Sequence, residues 1–292
     1  MPWFDGFQEQ TVATSGTEIH LITGGSGPAL LLLHGYPQTH LMWRHLAPKL
    51  AERFTVVAPD LRGYGESGKP VTDAAHAPYS KRAMAADMAE VMTALGHERF
   101  SVVGHDRGGR VAHRLARDHR ARVDRLSVLD ICPTLDMYER TDMAFATGYY
   151  HWFFLIQPFD FPERLIAADP AYYMARKMAL AGTADAFPEE VMAEYRRHFS
   201  KPETIHATCE DYRASATLDL DHDRSDRDQP LSIPIQVLWG GQGVVGRTFD
   251  PIAIWSPYTD EKVSGTAVPC GHFLAEEEPE ETLAHLLLFL EG

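Results

Sequence analysis

Short runs of hydrophobic residues divide the first half of the chain into predicted strands. The runs at 28–33 and 54–59 are apolar almost throughout, which is typical of central strands covered on both faces. Helical patterns separate successive runs, and this alternation indicates a parallel sheet with crossover helices. In order, we predict a hairpin within 10–23 that turns at Gly16-Thr17, and strands at 28–33, 54–59, 101–103 and 123–131.

The hydrophobic spacing changes to a helical period between the second and third of these strands. Residues 80–95 carry a stripe of four apolar side chains and a terminal leucine: Met84, Met88, Val91, Met92 and Leu95. This spacing predicts a helix whose methionine stripe packs against the sheet.

The second half of the chain has a different organisation. Residues 136–225 are mostly helical in pattern, rich in aromatic residues and broken by prolines, which predicts a helical cap inserted into the core. The polar stretch 219–230 is interpreted as the linker that returns to the core. We therefore predict an α/β core formed by 1–135 and 226–292, with a cap at 136–225. The later core elements are strands at 233–240 and 263–268 and a closing helix at 279–290.

Composition and charge narrow the classes of function. Hydrophobic residues make up 45% and charged residues 23%, as in soluble globular enzymes. The formal charge of −14 argues against nucleic acid or an anionic membrane as the main partner, and an anionic substrate would need local cations. The three cysteines form no C-x-x-C pair, so we expect reduced thiols in a cytoplasmic protein. Neither a signal peptide nor a run of about 18 apolar residues is present, which predicts no membrane span.

A Gly-x-Asp-x-Gly turn at 104–108 joins the third strand to a helical pattern. In the nucleophile elbow of α/β-hydrolases this turn holds the nucleophile, usually serine. Here the position is Asp106. A carboxylate is a poor acyl-transfer nucleophile, but it can displace a leaving group from sp³ carbon and leave an ester that water must clear. We predict an α/β-hydrolase fold, a mostly parallel central sheet flanked by helices, with covalent catalysis by Asp106.

The ester requires a base, and His272 is the candidate. It lies in the last loop before the closing helix, which matches the order nucleophile, acid, histidine of this fold. The acid that orients His272 is harder to assign. The usual place is the loop after the strand at 233–240, and this loop has no acidic residue before Asp250. Asp130, at the end of the preceding core strand, is the preferred acid.

Backbone and arginine groups complete the predicted core site. The oxyanion hole would combine the backbone N–H of Arg107, after the nucleophile, with that of Tyr36 in the loop after an early strand. Arg107 and Arg110 lie next to Asp106 and one helical turn further on, so both can face the pocket. Because an arginine fork binds a carboxylate bidentately, this pair predicts a carboxylate on the substrate. Arg114 and Arg117 are assigned to the solvated face.

The cap offers neutral donors in His151, Trp152 and Tyr212. Three such donors could stabilise a departing halide, but from the residues alone an aromatic lid packed on the core is the preferred interpretation of the segment 149–154.

At this point the sequence resembles the fluoroacetate (haloacetate) dehalogenases of the α/β-hydrolase superfamily over essentially the whole chain. His-Gly-Tyr-Pro and Asp-Leu-Arg-Gly-Tyr-Gly are shared with epoxide hydrolases and haloalkane dehalogenases, whereas the other matching segments are narrower. The matching segments are 34–37, 60–65, 104–110, 151–154, 209–214 and 271–274.

The resemblance implies Asp106 as nucleophile, Asp130 and His272 as acid and base, and Arg107 and Arg110 as a carboxylate clamp. It also implies that His151, Trp152 and Tyr212 bind the halide, and it implies a homodimer without a cofactor. We expect no metal site. Two positions depart from the family: Tyr36 stands where phenylalanine is frequent, and Met178 stands where some members have a second cap tryptophan. These changes affect the tightness of the lid and the preference among halides.

The leading hypothesis is hydrolytic dehalogenation of a small 2-haloacid, converting haloacetate to glycolate and halide. Epoxide hydrolysis with the same triad is the alternative, with Tyr212 and either Tyr149 or Tyr150 protonating the opening ring. Against it, epoxide hydrolases usually place tryptophan after the nucleophile, where this chain has Arg107. A non-catalytic receptor on the same scaffold is disfavoured by the complete set of nucleophile, acid and base.

Overall fold

A computed structural model describes residues 3–178 and 186–292. From the sequence we expect no signal peptide at the start of the chain. Residues 1 and 2 of that segment lie outside the described residues. The described strands are β1 (Gln8–Ala13), β2 (Glu18–Gly24), β3 (Ala29–Leu33), β4 (Thr55–Pro59), β5 (Phe100–His105), β6 (Val123–Leu129), β7 (Ile235–Gly240) and β8 (Val263–Val268).

These strands form one eight-stranded sheet with the order β1-β2-β4-β3-β5-β6-β7-β8. The pairs β1–β2 and β2–β4 are antiparallel, and every later pair is parallel. All five residues of β3 are buried, as expected for a central strand with helices on both faces. The predicted α/β-hydrolase architecture is confirmed, including the hairpin that turns between β1 and β2.

The helices of the described chain, apart from short 3₁₀ turns, are α1 (Ala47–Leu50), α2 (Lys81–Ala94), α3 (Arg107–Asp118), α4 (Thr134–Glu139), α5 (Met143–Gly148), α6 (Tyr150–Phe154), α7 (Phe161–Ala168), α8 (Pro170–Met178), α9 (Glu189–Phe199), α10 (Pro202–Ser215), α11 (Leu218–Asp226), α12 (Val244–Thr248), α13 (Pro251–Trp255), α14 (Leu274–Glu277) and α15 (Pro279–Glu291). The methionine stripe of α2 is buried, as predicted. None of these helices is long and apolar enough to cross a membrane.

Helices α4 to α11 fall between β6 and β7 in the chain, where the sequence predicts the cap. The prediction that 219–230 is a linker is wrong over most of its length, because α11 occupies 218–226. The placement of Arg114 and Arg117 on a solvated face is also wrong. Arg114 is 3% exposed and pairs with Asp223 and Asp226, so the acidic side chains of α11 bind the helix after the elbow. The boundaries at 135/136 and 225/226 stay predictions.

Candidate active site

The turn between β5 and α3 holds Asp106 in a conformation that few non-glycine residues adopt. Its φ of 46° and ψ of −113° lie outside the helix and strand regions. Glycines on both sides make the turn possible. A Cβ at Gly104 would lie 2.5 Å from the carbonyl oxygen of Gly108, and a Cβ at Gly108 would lie 2.4 Å from that of His34. The sequence therefore folds here into a tight elbow that places the Asp106 carboxylate at the carboxyl edge of the sheet.

Asp130 follows β6 directly and is fully buried, with a positive φ of 53°. One carboxylate oxygen accepts the backbone N–H of Gly240 at 3.0 Å, and the other lies 2.6 Å from Nδ1 of His272. Asp250 is placed elsewhere, since it accepts the N–H of Ala253 and begins α13. The structure thus places Asp130, the preferred acid, against His272, whereas Asp250 makes no such contact in the described structure.

His272 also faces the elbow. Its Nε2 lies 4.0 Å from Oδ2 of Asp106, and its backbone carbonyl accepts a hydrogen bond from Nε2 of His105 at 2.8 Å. The hydroxyl of Tyr149 lies 3.4 Å from Nδ1 of His272 and 3.5 Å from Oδ2 of Asp130, so this tyrosine borders both side chains. Tyr150, in contrast, is 41% exposed.

The backbone N–H of Tyr36 donates to Oδ2 of Asp106 at 3.0 Å. The N–H of Arg107 opens α3, where the first N–H groups of a helix have no intrahelical acceptor. Of the two backbone donors predicted for the oxyanion hole, the N–H of Tyr36 thus contacts the carboxylate, and that of Arg107 follows it directly in the chain with no acceptor inside the helix.

Arg107 and Arg110 are both buried, but their surroundings differ. Arg107 donates from Nε and Nη2 to the two carboxylate oxygens of Asp211, at 2.9 and 2.6 Å. Arg110 donates to the carbonyl of Cys132 and the hydroxyl of Thr134 and forms no ion pair within the described residues. Each guanidinium keeps one buried nitrogen without a partner among those residues, Nη1 of Arg107 and Nε of Arg110.

The three predicted cap donors lie around these arginines. The ring of Tyr212 lies under the guanidinium of Arg107 at 4.1 Å, and the ring of Trp152 lies under that of Arg110 at 4.5 Å. The Tyr212 hydroxyl is buried and has no hydrogen-bond partner in the described chain. The His151 ring stacks on Tyr36, with centroids 6.2 Å apart. The sequence-predicted groups thus lie around one buried site, with His151 and Trp152 on α6 and Tyr212 on α10.

Burial and nearby charges together determine the protonation of this site. Burial opposes ionisation of Asp106, yet the charges of His272, His105 and the two arginines hold its pKa below the ordinary value. Burial lowers the pKa of His151 well below its usual range, and nearby cations lower it further. At neutral pH the site therefore holds an ionised Asp106 and a neutral His151.

A cavity of about 180 Å³ reaches His272. Tyr149, Lys177, Gly243 and Arg247 contribute to its lining. The lining therefore brings His272 together with two cationic side chains, those of Lys177 and Arg247.

Two contacts of the site were not anticipated from the sequence. Asp211, which binds Arg107, lies in the Cys-Glu-Asp-Tyr-Arg segment, but nothing in that motif indicates which cation it meets. Lys177, whose Nζ lies 3.1 Å from Nδ1 of His151, carries no sequence signal at all.

Metal-ligating side chains gather in two other places within the described residues. His20, His40 and Asp60 lie close together, as do Glu163, His206 and Glu210. In the second cluster Arg213 binds both glutamates, and in the first Asp60 accepts hydrogen bonds from the ring and backbone of His40. Neither lies among the site residues, and the expectation of no metal stays a prediction.

Comparison with known proteins places this geometry in a family. A protein-family model, described as alpha/beta hydrolase fold, matches residues 28–279 of this chain. The chain belongs to the α/β-hydrolase fold family. It is 45% identical to a fluoroacetate dehalogenase from a Burkholderia species over 98% of this chain and 95% of the relative. This relative confirms the resemblance to the haloacetate dehalogenases.

Other relatives bear different names. The chain is 37% identical to a soluble epoxide hydrolase from Corynebacterium sp. strain C12, over 94% of each chain. Among solved structures, ALR0039 from Nostoc sp. PCC 7120, assigned to the α/β hydrolases, is 55% identical with a TM-score of 0.96. That likeness covers 97% of this chain and 98% of ALR0039. The α/β-hydrolase family model and the dehalogenase relative together support the assignment of this chain as a hydrolase.

Proposed function

We propose that this protein hydrolyses haloacetates to glycolate and halide. The ionised carboxylate of Asp106 attacks the carbon that bears the halogen, the carbon–halogen bond breaks, and the electron pair leaves with the halide. The product of this step is an ester between Asp106 and the glycolyl carbon. The dehalogenase relative supports this reaction at the level of sequence.

The observation that carries the proposal is the pair of arginines with unused donors. Nη1 of Arg107 and Nε of Arg110 are buried beside the nucleophile without partners among the described residues. Buried donors are costly to leave unsatisfied, so such a pair favours an anionic ligand that accepts from both. A substrate carboxylate held there would place its α-carbon next to Asp106. The same cations would offset repulsion between two carboxylates.

The second step would remove the ester. Asp130 accepts from Nδ1 of His272, so Nε2 can take a proton from water. The activated water attacks the carbonyl carbon of the Asp106 ester, and the N–H groups of Tyr36 and Arg107 stabilise the oxyanion. Glycolate leaves with the oxygen that Asp106 supplied, and the aspartate recovers an oxygen from water.

The leaving halide would be received by His151, Trp152 and Tyr212. Their neutral N–H and O–H groups can donate hydrogen bonds to an anion. None of them needs to transfer a proton to the Asp106 carboxylate, which would abolish its nucleophilicity. The free hydroxyl of Tyr212 supports this role.

Halide release tests the reaction, and isotope labelling tests its route. Purified protein should release fluoride or chloride from fluoroacetate or chloroacetate. In a single turnover in ¹⁸O-water, the first glycolate should carry unlabelled oxygen from Asp106. Label in the glycolate of the first turnover would exclude the covalent route.

Epoxide hydrolysis is the second candidate, because a 37% identical relative is named an epoxide hydrolase and the proposed triad of Asp106, His272 and Asp130 could also serve that reaction. Tyr212 and Tyr149 both carry hydroxyls near the triad, whereas Tyr150 is exposed and is a poor candidate. Arg107→Ala and Arg110→Ala separate the two functions. Both variants should lose haloacetate turnover, and turnover of a neutral epoxide such as styrene oxide that survives in them would favour the alternative.

We further propose that the protein works without metal or cofactor, as a cytoplasmic homodimer whose cap spans 136–225. The sequence resemblance supports this assembly. Light scattering coupled to size-exclusion chromatography tests the dimer, and retention of activity after treatment with a chelator tests the absence of a metal requirement.

A further inference from the structure

Lys177 is a buried cation in the cap, on α8. The residue is 8% exposed, and its ammonium lies 3.1 Å from Nδ1 of His151. Within the part of the chain that the structure describes, no carboxylate forms an ion pair with it. Since an isolated buried ammonium is costly, its contact with a proposed halide-binding residue needs an explanation.

The contact determines which nitrogen of His151 carries the proton. An ammonium group only donates, so Nδ1 must accept and the proton of the neutral imidazole must reside on Nε2. The low pKa of His151, caused by burial and then by Lys177, keeps the ring neutral. Nε2–H is the donor that remains for a ligand, and the ring lies edge-on to Tyr212 at 5.7 Å.

We propose that Lys177 is a positioning residue of the leaving-group site: it holds His151 in the Nε2–H tautomer and places a positive charge behind the imidazole, so that the pocket favours fluoride. This inference rests on the proposed dehalogenation. It adds a residue and a halide preference that the triad and the arginine clamp do not provide.

The role follows from where charge moves. As the Asp106 oxygen–carbon bond forms and the carbon–halogen bond breaks, negative charge passes from Asp106 to the halide. His151 and Lys177 keep their protons, and the halide leaves as an anion held by hydrogen bonds. An imidazole polarised by an adjacent ammonium is a stronger donor than a free one. Fluoride is the smallest of the halides and accepts hydrogen bonds most strongly. The stronger donor therefore stabilises a departing fluoride more than a departing chloride or bromide.

The ammonium is available under neutral conditions. Burial lowers the pKa of Lys177 to about 8, while the charge of Asp106 acts in the opposite direction. The side chain also lines the cavity that reaches His272.

The test compares leaving groups in matched variants. Lys177→Met removes the charge, Lys177→Arg keeps it, and Arg176→Met removes the same charge from the neighbouring exposed residue. The kcat and KM of each are measured with fluoroacetate, chloroacetate and bromoacetate. In Lys177→Met, kcat for fluoroacetate should fall on the order of 10- to 100-fold, with bromoacetate changed less than about threefold. Arg176→Met should retain the wild-type fluoride-to-bromide ratio, and Lys177→Arg should lie closer to wild type than Lys177→Met.

An equal loss with all three substrates would mean that Lys177 only supports the structure of the cap, and no loss would also overturn the inference. A second measurement does not depend on turnover. In ¹⁵N-histidine-labelled protein, His151, assigned with His151→Gln, should carry its proton on Nε2 in the wild type and shift toward Nδ1 in Lys177→Met. If the wild-type protein releases no halide, the proposed function fails, while the NMR result still decides whether Lys177 sets the tautomer.

Discussion

His272 lies between two carboxylates, with Nδ1 2.6 Å from Oδ2 of Asp130 and Nε2 4.0 Å from Oδ2 of Asp106. The short contact fixes the ring and its tautomer. The longer one is too long for a hydrogen bond, but it allows one water to contact both Nε2 and the Asp106 carboxyl group. This asymmetry suits a base that acts on the ester after it has formed and does not deprotonate the nucleophile.

Replacing His272 should therefore separate the two chemical steps. In His272→Asn, Asp106 still attacks the substrate, but the ester persists because no base activates water. We expect one equivalent of halide per active site followed by almost no turnover. Mass spectrometry of the peptide containing Asp106 should show one added carboxymethyl group. Steady halide release at the wild-type rate would contradict this role.

Replacing Asp130 and replacing Asp250, the two candidate acids, should have different effects on kcat. Asp130→Asn leaves an amide where the carboxylate held His272, and kcat should fall on the order of 10⁴-fold, as in other triads. Asp250→Asn is the matched control, because Asp250 only caps α13. Asparagine also caps helices well, so this variant should keep both its activity and its melting temperature. A larger loss of kcat in Asp250→Asn than in Asp130→Asn would reverse the assignment.

The sequence was sufficient to single out Asp106, His272 and Asp130, which the structure places next to one another, because each follows a strand or precedes a helix at a place set by the fold. It was not sufficient for contacts between elements far apart in the chain. Asp211 and Arg107 are 104 residues apart, and their pairing depends on how α10 packs over the elbow. Lys177 on α8 and His151 on α6 meet in the same way.

The helix α11 shows the same limit at the level of secondary structure. Its sequence is polar and acidic, which is typical of a linker, and no hydrophobic periodicity marks it. Its helical form is consistent with ion pairs from Asp223 and Asp226 to Arg114, a tertiary interaction that local pattern does not contain. The same pairs explain why Arg114 is buried.

The two clamp arginines should differ in their contribution to stability. Arg107→Met removes the bidentate partner of the buried Asp211 carboxylate, which keeps only Lys81 as a cationic partner among the described residues, and the free energy of unfolding should fall by up to about 3–5 kcal/mol. Arg110→Met breaks no ion pair in the described structure, so its loss should stay below about 2 kcal/mol. Urea unfolding of both variants measures the difference. Equal losses would show that the Arg107–Asp211 pair is not what stabilises this region.

Acid should weaken the protein partly through Asp211. Burial opposes its ionisation, but Arg107 and Lys81 hold its folded-state pKa below the ordinary value. The unfolded chain therefore binds a proton first, so the stabilisation is present above about pH 4 and is lost as pH falls toward the folded-state pKa. Below pH 4, unfolding free energy should decline more steeply in wild type than in Asp211→Asn. Asp228→Asn, at an exposed carboxylate, should follow the wild-type curve, and identical slopes in all three proteins would refute the linkage.

Tyr212→Phe should lower activity without lowering stability. The hydroxyl is buried without a partner among the described residues, so removing it breaks no observed hydrogen bond and relieves a desolvated donor. The melting temperature should stay equal or rise, while kcat for fluoroacetate falls about 10- to 100-fold through loss of one donor to the halide. Tyr79→Phe gives the opposite pattern, because the Tyr79 hydroxyl donates to the carbonyl of Pro70 at 2.7 Å. That variant should lose about 1 kcal/mol of stability and keep its kcat, and a Tyr212→Phe protein that behaved in the same way would remove Tyr212 from the halide site.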